Sequence, residues 1–482
     1  MAVFTLKEIL DATSGELHHF DEKPGSISDY CVDGVSTDTR KLAEGNLFIG
    51  LKGEKFDGNR YAFQAAKDGA KALILSSLDH APEDTPAILV PNTKVALEQL
   101  ATYYRKRQKF LTVAVTGSVG KTSTREMLGS AIGACKKTYC TKNNENNEIG
   151  LSKTILETPE DTEVLVLEMG MRLRGEISEL THIAWPDIAV ITNVGVAHIE
   201  RLGTRDEILR AKLEILEGLA ENGLLILPAK DEYLQKAVRE GMVRPDVKIA
   251  YFSTDDQDLP TEGVGLAYAG PVSFENDKVN FTATVGYDEK QQTRLALSVL
   301  GLHHVGNSLA ALLCGLYLGL PLEKLSEGAN RFAPIGHREK MVTVEGVHFI
   351  DDSYNAGPES MTSALATLRR VSGTAKAYAC MGDMLELGDV SDEKHFEVGC
   401  AAAREGLDGL FVIGDYKESV REGCHSVDPS IPVVLCQDKK EIVDKLKDVV
   451  KPGDWALLKA SHSFEMYTIL NEYVSIFREV EC

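Results

Sequence analysis

The chain has no basic excess: 52 Lys and Arg stand against 73 Asp and Glu, a formal net charge of −21. A general binder of nucleic acid or of an anionic membrane would carry a basic surplus, so both classes are excluded. An anionic small substrate is still allowed, because it needs only a local basic pocket. No stretch reaches the roughly 18 consecutive apolar residues of a membrane span. The opening Met1-Ala-Val-Phe-Thr-Leu-Lys-Glu8 lacks the basic and apolar blocks of a secretory signal. The expectation is a cytoplasmic protein with no integral membrane segment. The 9 cysteines, scattered from Cys31 to Cys482, include no C-x-x-C pair. They read as reduced, mostly buried thiols, forming neither a disulfide framework nor a cysteine zinc site. Repeats, low-complexity segments and long linkers are also missing. What remains is ordinary globular protein, 43% hydrophobic and 26% charged, long enough for roughly three domains of about 150 residues each.

The most informative segment is Thr116-Gly-Ser-Val-Gly-Lys-Thr-Ser123. It follows an apolar run, Leu111–Val115, that reads as a buried strand. It leads into Ser123–Ile132, where apolar residues recur at helical spacing. A strand, a glycine turn and a helix N-terminus make a phosphate site. Gly117 and Gly120 let backbone N–H groups turn inward, the helix adds partial positive charge and Lys121 a full one. Thr116, Ser118, Val119 and Ser123 complete the loop, and the Thr122 hydroxyl is placed for the Mg²⁺ that accompanies a nucleotide. The loop is shorter than G-x-x-x-x-G-K-[ST], whose first glycine would fall at Val115. A regulatory GTPase would also need a guanine-reading N-K-x-D, and the chain has none.

Three regions separate along the chain, giving an α/β protein with boundaries at 1–108, 109–334 and 335–482. In the first, Thr5-Leu-Lys-Glu8 is a capping box opening a helix. Strands are expected at 46–51 and 72–75, with helices at 61–68 and 97–109. The second carries the alternation of a parallel sheet, with strands at 164–168, 188–192 and 224–227. Residues 262–300 then switch to period two, giving a small antiparallel sheet, and a helix from Asn307 to about Leu318 closes the region. The third repeats the α/β pattern, Rossmann-like, with strands at 348–351, 377–380, 410–413, 433–435 and 455–459.

Ligands of open α/β sheets bind beyond the carboxyl ends of the strands. Glu168 ends the second strand of the central region and is a natural Mg²⁺ ligand. The third strand runs into Asn193-Val-Gly-Val-Ala-His198, which puts His198 on the loop at the same edge. Thr204-Arg-Asp-Glu207 is a capping box, and the helix it opens has an apolar stripe of Ile208, Ile215, Leu216 and Leu219. Lys212 lies in the middle of that stripe. Two readings stay open: a snorkelling lysine with its ammonium in water, or a buried amine that loses its proton readily and can add CO₂ to become an anionic carbamate. In the third region, Arg338 can reach phosphate oxygens and Asp352 ribose hydroxyls, although each alone would pass for a surface charge.

T-G-S-V-G-K-T, V-L-E-M-G, N-V-G-V-A-H, A-K-L-E-I and F-I-D-D-S-Y-N-A-G-P, in this order, resemble the Mur ligases of bacterial peptidoglycan synthesis. The resemblance spans the whole chain. Ser36-Thr-Asp-Thr-Arg40 (Ser36, Thr37, Asp38, Thr39, Arg40) and Phe56-Asp57-Gly58-Asn59 are similar to the family's uridine-nucleotide-binding domain. D-S-Y-N-A and Asn146-Asn-Glu-Ile-Gly150 point to the branch that adds D-alanyl-D-alanine. The D-N-P-R of the diamino-acid-adding branch is absent. That branch and the folate polyglutamate ligases are the alternatives.

The resemblance implies an ATP-dependent amide ligase joining D-Ala-D-Ala to UDP-N-acetylmuramoyl-tripeptide through an acyl phosphate, and a monomer. It implies that Lys121 and its loop hold the ATP phosphates, that Thr122 and Glu168 hold one Mg²⁺, and that His198 and a carbamylated Lys212 (N6-carboxylysine) hold a second. Asn307 would contact the base, Arg338 the phosphates and Asp352 the ribose. The chain departs from the family pattern at four places. His304 stands where H-N-V has Asn, Ser152 replaces Pro, Gly357 replaces the second Asn of N-A-N-P, and Lys459-Ala-Ser-His462 replaces K-G-S-R.

Overall fold

The computed structural model describes residues 2–20, 26–257, 259–260 and 262–478, so Cys482 lies outside the described residues. The eight described cysteines are free, and five are buried. Among the described residues no helix is long and apolar enough to cross a membrane.

Near the N-terminus, strands Glu16–His18, Ala87–Leu89, Ala72–Leu75, Leu47–Ile49 and Val35–Ser36 form one sheet in that order. The Thr5 capping box opens helix Leu6–Thr13 with both reciprocal bonds made. The basic helix spans Thr93–Arg107 and begins a turn earlier than its apolar periodicity suggests. The reason is Asn92, whose side chain accepts from the N–H groups of Lys94 and Val95. Its far end anchors the next body: Arg105 donates to Ala184 O, Trp185 O and Asp187, each at 3.0 Å.

The central sheet has ten strands among the described residues. Its parallel heart places Leu111–Thr116 between Val164–Glu168 and Ile188–Ile191, followed by Leu224–Pro228 and Lys248–Ser253. Both faces are covered, which is why these strands read as unbroken apolar runs. Leu165, Leu167, Ala189 and Ile191 pack on one side, while Val164, Val166, Ile188 and Val190 pack on the other. The period-two strands are continuous with this sheet. Gly265–Ala269 pairs parallel to Lys248–Ser253 and antiparallel to Lys278–Gly286, which pairs antiparallel with Lys290–Leu297. Helix His303–Tyr317 begins a turn before Asn307, so Asn307 lies inside a buried helix face.

The last sheet runs Lys340–Val344, Val347–Asp351, Trp455–Lys459, Ala377–Met381, Gly409–Val412, Val433–Leu435. Only its first pairing is antiparallel.

Candidate active site

Strand Leu111–Thr116 ends at the glycine turn, and helix Lys121–Gly133 starts immediately after it. Gly117 has φ 150°, and a Cβ there would collide with Thr192 Oγ1; Gly120 has φ 84°. Both therefore need to be glycine. The loop is tied to the neighbouring strand's end. Asn193 Oδ1 accepts from Ser118 N at 3.1 Å and Val119 N at 3.0 Å, and Ser118 Oγ accepts from Gly195 N at 2.9 Å. The N–H groups of Gly120, Lys121, Thr122 and Ser123 have no partner among the described residues. Four free donors at a helix start are a ready anion site. Lys121 Nζ folds back over the loop and donates to Gly117 O at 2.8 Å. Burial lowers its pKa, Glu168 opposes that, and Arg338 adds to it. Thr116 is oriented differently: its buried hydroxyl donates to Met169 O at 3.0 Å, inside the sheet.

Glu168, 1% exposed, ends its strand beside this loop. Its Oε2 accepts from Arg125 Nη1 at 3.1 Å and its Oε1 from Asn146 Nδ2 at 2.8 Å. Sequence reading missed Arg125, although the signal was present. Thr124 and Arg125 lie four and three residues before Leu128 on the helix face that buries Leu128, Ala131 and Ile132, the same reasoning that singled out Lys212.

Lys212 lies in helix Arg205–Leu213 and is 1% exposed, which removes the snorkelling alternative. Its stripe neighbours Ile208, Ile215, Leu216 and Leu219 are buried with it. Burial lowers its pKa well below the ordinary lysine value, nearby Lys121 lowers it further, and Asp231 opposes both. Among the described residues no carboxylate forms an ion pair with it. The helix start is half of the expected box. Thr204 accepts from Glu207 N, but the Glu207 carboxylate turns to Arg174 and Arg210 instead. His198 sits in left-handed backbone (φ 65°) at the start of helix Ile199–Leu202. Burial lowers its pKa, Glu386 raises it, and Lys121 and Lys212 lower it, so these three basic groups share one neighbourhood.

Residues after 335 reach this edge at three points. Arg338 Nη2 donates to Thr122 Oγ1 at 3.2 Å, its guanidinium lying 3.9 Å from the Tyr354 ring centroid. Glu386 Oε2 pairs with His198 Nδ1 at 2.5 Å, and Glu359 Oε1 accepts from Val196 N at 3.0 Å. Asn307 Oδ1 accepts from Thr124 Oγ1 at 3.0 Å, which fixes it against the phosphate-loop helix. Asp352 has both oxygens on protein donors: Oδ2 takes Lys459 Nζ at 2.6 Å and Oδ1 takes Glu339 N at 3.3 Å. Burial raises its pKa and Lys459 pulls it down. In Lys459-Ala-Ser-His462 the matching Lys459 is the buried partner of Asp352, and the departing His462 has its Nδ1 3.1 Å from Tyr354 O. Gly357 is extended with open space around it, so the backbone does not require glycine there. Ser152 is fully buried with an unpartnered hydroxyl.

The second group of sequence candidates gathers on the N-terminal sheet, with no hydrogen bond to the phosphate loop among the described residues. Asp38 accepts from Arg40 N at 3.0 Å and holds its guanidinium at 2.7 and 2.9 Å, and Ser36 Oγ donates to Asp38 O. Thr37 links Ser36 to Asp38, and Thr39 opens the short 3-10 turn Thr39–Lys41 that Asp38 caps. Asp57 caps the turn Gly58–Tyr61. Gly58 packs against Leu51 too closely for any side chain. Asn59 is buried and spends its side chain on Asp57 and Ser76. Phe56, which opens the quoted motif, stacks at 5.6 Å on Tyr61, which sequence reading missed, and the two rings stay 55% and 44% exposed beside this cluster.

Residues 32–105 match the Mur ligase family catalytic domain, 115–315 the Mur ligase middle domain and 337–462 the Mur ligase glutamate ligase domain. The chain is 34% identical over 472 residues to a UDP-N-acetylmuramoyl-tripeptide–D-alanyl-D-alanine ligase of Bacillus subtilis, covering 98% of each chain. Among solved structures it is similar to MurF from Acinetobacter baumannii, with TM-score 0.85 and 28% identity over 98% of this chain and 99% of that one. It is also similar to a Thermotoga maritima MurF ligase in complex with ADP, with TM-score 0.78 and 27% identity over 93% and 98%. With full-length likeness in sequence and fold, and a phosphate loop, an acidic strand end and a buried lysine on one sheet edge, the chain belongs to the Mur ligase family.

Proposed function

We infer that this chain joins D-alanyl-D-alanine to UDP-N-acetylmuramoyl-tripeptide, at the expense of ATP, and forms UDP-N-acetylmuramoyl-pentapeptide, ADP and phosphate. The observation that carries this reading is the Arg338 to Thr122 bond. A residue of the last α/β body reaches the phosphate loop of the central one, so both bodies meet at the place where a γ-phosphoryl group would sit.

A carboxylate is a poor acylating agent until one of its oxygens attacks the γ-phosphorus of ATP, releasing ADP. Two anions approach each other in that step, so catalysis rests on positive charge fixed in advance. Lys121 Nζ leaves the carbonyls of Gly117 and Ser118 for the phosphates, while the free N–H groups of 120–123 hold the non-bridging oxygens. Arg338 lies against Thr122 and adds a second fixed positive charge near Lys121. The dipeptide amine then attacks the acyl carbon, phosphate leaves, and the amine loses a proton. Contacts at Glu359 and Glu386 close the edge and keep water from the acyl phosphate.

The donor set suits Mg²⁺, a hard ion that prefers oxygen. Thr122 and Glu168 would hold one ion, and His198 and Lys212 the other, once the Lys212 amine has added CO₂. In that addition the nitrogen lone pair forms the N–C bond and one amine proton leaves to solvent. A buried amine without a carboxylate partner, its pKa depressed, is chemically fit for it. Bound Mg²⁺ supplies Lewis-acid neutralisation of the charge on the phosphoryl oxygens. Asn307 would face the base and Asp352 the ribose, sharing its carboxylate with Lys459. Ser36–Arg40 and Asp57–Asn59, with exposed Phe56 and Tyr61 beside them, would receive the uridine nucleotide. The enzyme would work as a monomer in the cytoplasm, where its nucleotides are supplied.

The test is ADP release with UDP-N-acetylmuramoyl-tripeptide, with and without D-Ala-D-Ala. ADP and phosphate should appear stoichiometrically with the pentapeptide and only with both substrates. Turnover indifferent to them, or dependent on a folate, would overturn the reading.

A further inference from the structure

We propose that His303, His304 and Glu339 form a binding site for a borderline divalent transition metal of the zinc type, separate from the residues assigned to Mg²⁺. His303 and His304 open helix His303–Tyr317, and Glu339 lies just before strand Lys340–Val344. The site therefore straddles the central and last α/β bodies. His303 Nδ1 is 3.7 Å from Glu339 Oε1, and His304 Nε2 is 3.1 Å from Glu339 Oε2. Metal bonds of about 2.0–2.1 Å in tetrahedral geometry place neighbouring ligand atoms roughly 3.3 Å apart. One donor atom from each of the three side chains lies within 4.8 Å of the others. Rotation of the exposed His303 ring is enough to close the set, leaving a fourth position for water.

The charge arrangement favours a cation. Glu339 is 7% exposed, yet among the described residues neither lysine nor arginine forms an ion pair with it. Its oxygens accept from Gly301 N at 3.1 Å and from His304. Arg370 acts on it only from longer range. Burial opposes ionisation of the Glu339 carboxyl, while the imidazoles and the Gly301 N–H beside its oxygens favour the anion. The imidazole rings are 4.1 Å apart between centroids, too close for both to carry a proton charge comfortably. A metal ion supplies the missing positive charge without that repulsion.

The donors also set the metal's class. Two nitrogens and one carboxylate suit zinc, cobalt or nickel, whereas Mg²⁺ prefers all-oxygen octahedral sites. Metal on His304 Nε2 requires the proton on Nδ1, which faces Asn307 Nδ2 at 3.5 Å. The Asn307 amide then turns over so that its oxygen accepts that proton and its nitrogen faces Thr124. Occupancy thus reorients a side chain anchored to the phosphate-loop helix.

The experiment is Co²⁺ titration of the full chain in excess Mg²⁺, followed by visible absorption, with His303→Ala and His304→Asn beside the wild type. One tightly bound equivalent is expected, with ligand-field bands and no thiolate charge-transfer band. Affinity should fall at least tenfold in each variant, since losing even a group that only supports a ligand typically costs about 10–100-fold. His303 is exposed, so His303→Ala keeps the test valid even if His304→Asn folds poorly. No binding, a thiolate band, or affinity unchanged in His303→Ala would overturn the proposal.

Discussion

Replacing Lys212 with Met should make the protein more stable and nearly inactive. Lys212 lies at 1% exposure among Ile208, Ile215 and Leu216, with Lys121 as a second cation nearby. Methionine fills much the same stem volume and removes the amine. Because burial lowers the folded pKa, the unfolded chain binds more protons than the native one between that pKa and the ordinary value of 10.5. Each unit of lowering costs about 1.4 kcal/mol, and at pH 7 the cost cannot exceed about 5 kcal/mol, the free energy of deprotonating an ordinary lysine there. The variant should therefore gain roughly 1–5 kcal/mol at pH 7, and the gain should shrink as pH rises toward 10.5. Calorimetric melting in CO₂-free buffer at several pH values measures it. Turnover should fall about 10²-fold or more, and added bicarbonate should raise wild-type turnover but not the variant's. In Lys212→Ala, formate or acetate should restore part of the activity by replacing the lost anion, while Lys212→Arg stays inactive because its charge is permanent. A destabilised Met variant, or one with normal turnover, would refute this account of the buried amine.

Lys121→Ala should leave the fold intact by circular dichroism and lower turnover about 10²-fold or more, as lost transition-state charge does. Arg125→Met leaves the buried Glu168 carboxylate with Asn146 as its one side-chain hydrogen-bond donor among the described residues and should cost about 3–5 kcal/mol in unfolding experiments; adding Glu168→Gln should recover part of it. Ser152→Ala should be neutral or stabilising by about 1 kcal/mol in melting experiments, since the buried hydroxyl it removes has no partner.

The parallel heart of the fold was legible because both faces of its strands are covered, leaving unbroken apolar runs such as 164–167, closed by Glu168 at the tip. The candidate site was legible where one side chain breaks a pattern. Lys212 in an apolar stripe and Glu168 at a strand tip are cases, and Arg125 would have been another. Helices Thr93–Arg107 and His303–Tyr317 each start four residues before their expected positions, and Lys121–Gly133 two residues before; Asn92 caps the first and left-handed Gly120 precedes the third, whereas the second starts from Leu302 with no side-chain cap. What no local pattern carries is the pairing of distant segments. His198 with Glu386 and His304 with Glu339 join residues brought together only by the packing of one body on another, and Asp352 meets Lys459 only through the pairing of two strands about a hundred residues apart in one sheet.

The most direct measurement follows oxygen. UDP-N-acetylmuramoyl-tripeptide labelled with ¹⁸O in its terminal carboxylate is turned over with ATP and D-Ala-D-Ala, and the released phosphate is analysed by mass. An acyl phosphate carries one carboxylate oxygen away on phosphorus, so each phosphate should contain one ¹⁸O and the new amide should keep the other. Unlabelled phosphate, or AMP appearing in place of ADP, would contradict the mechanism.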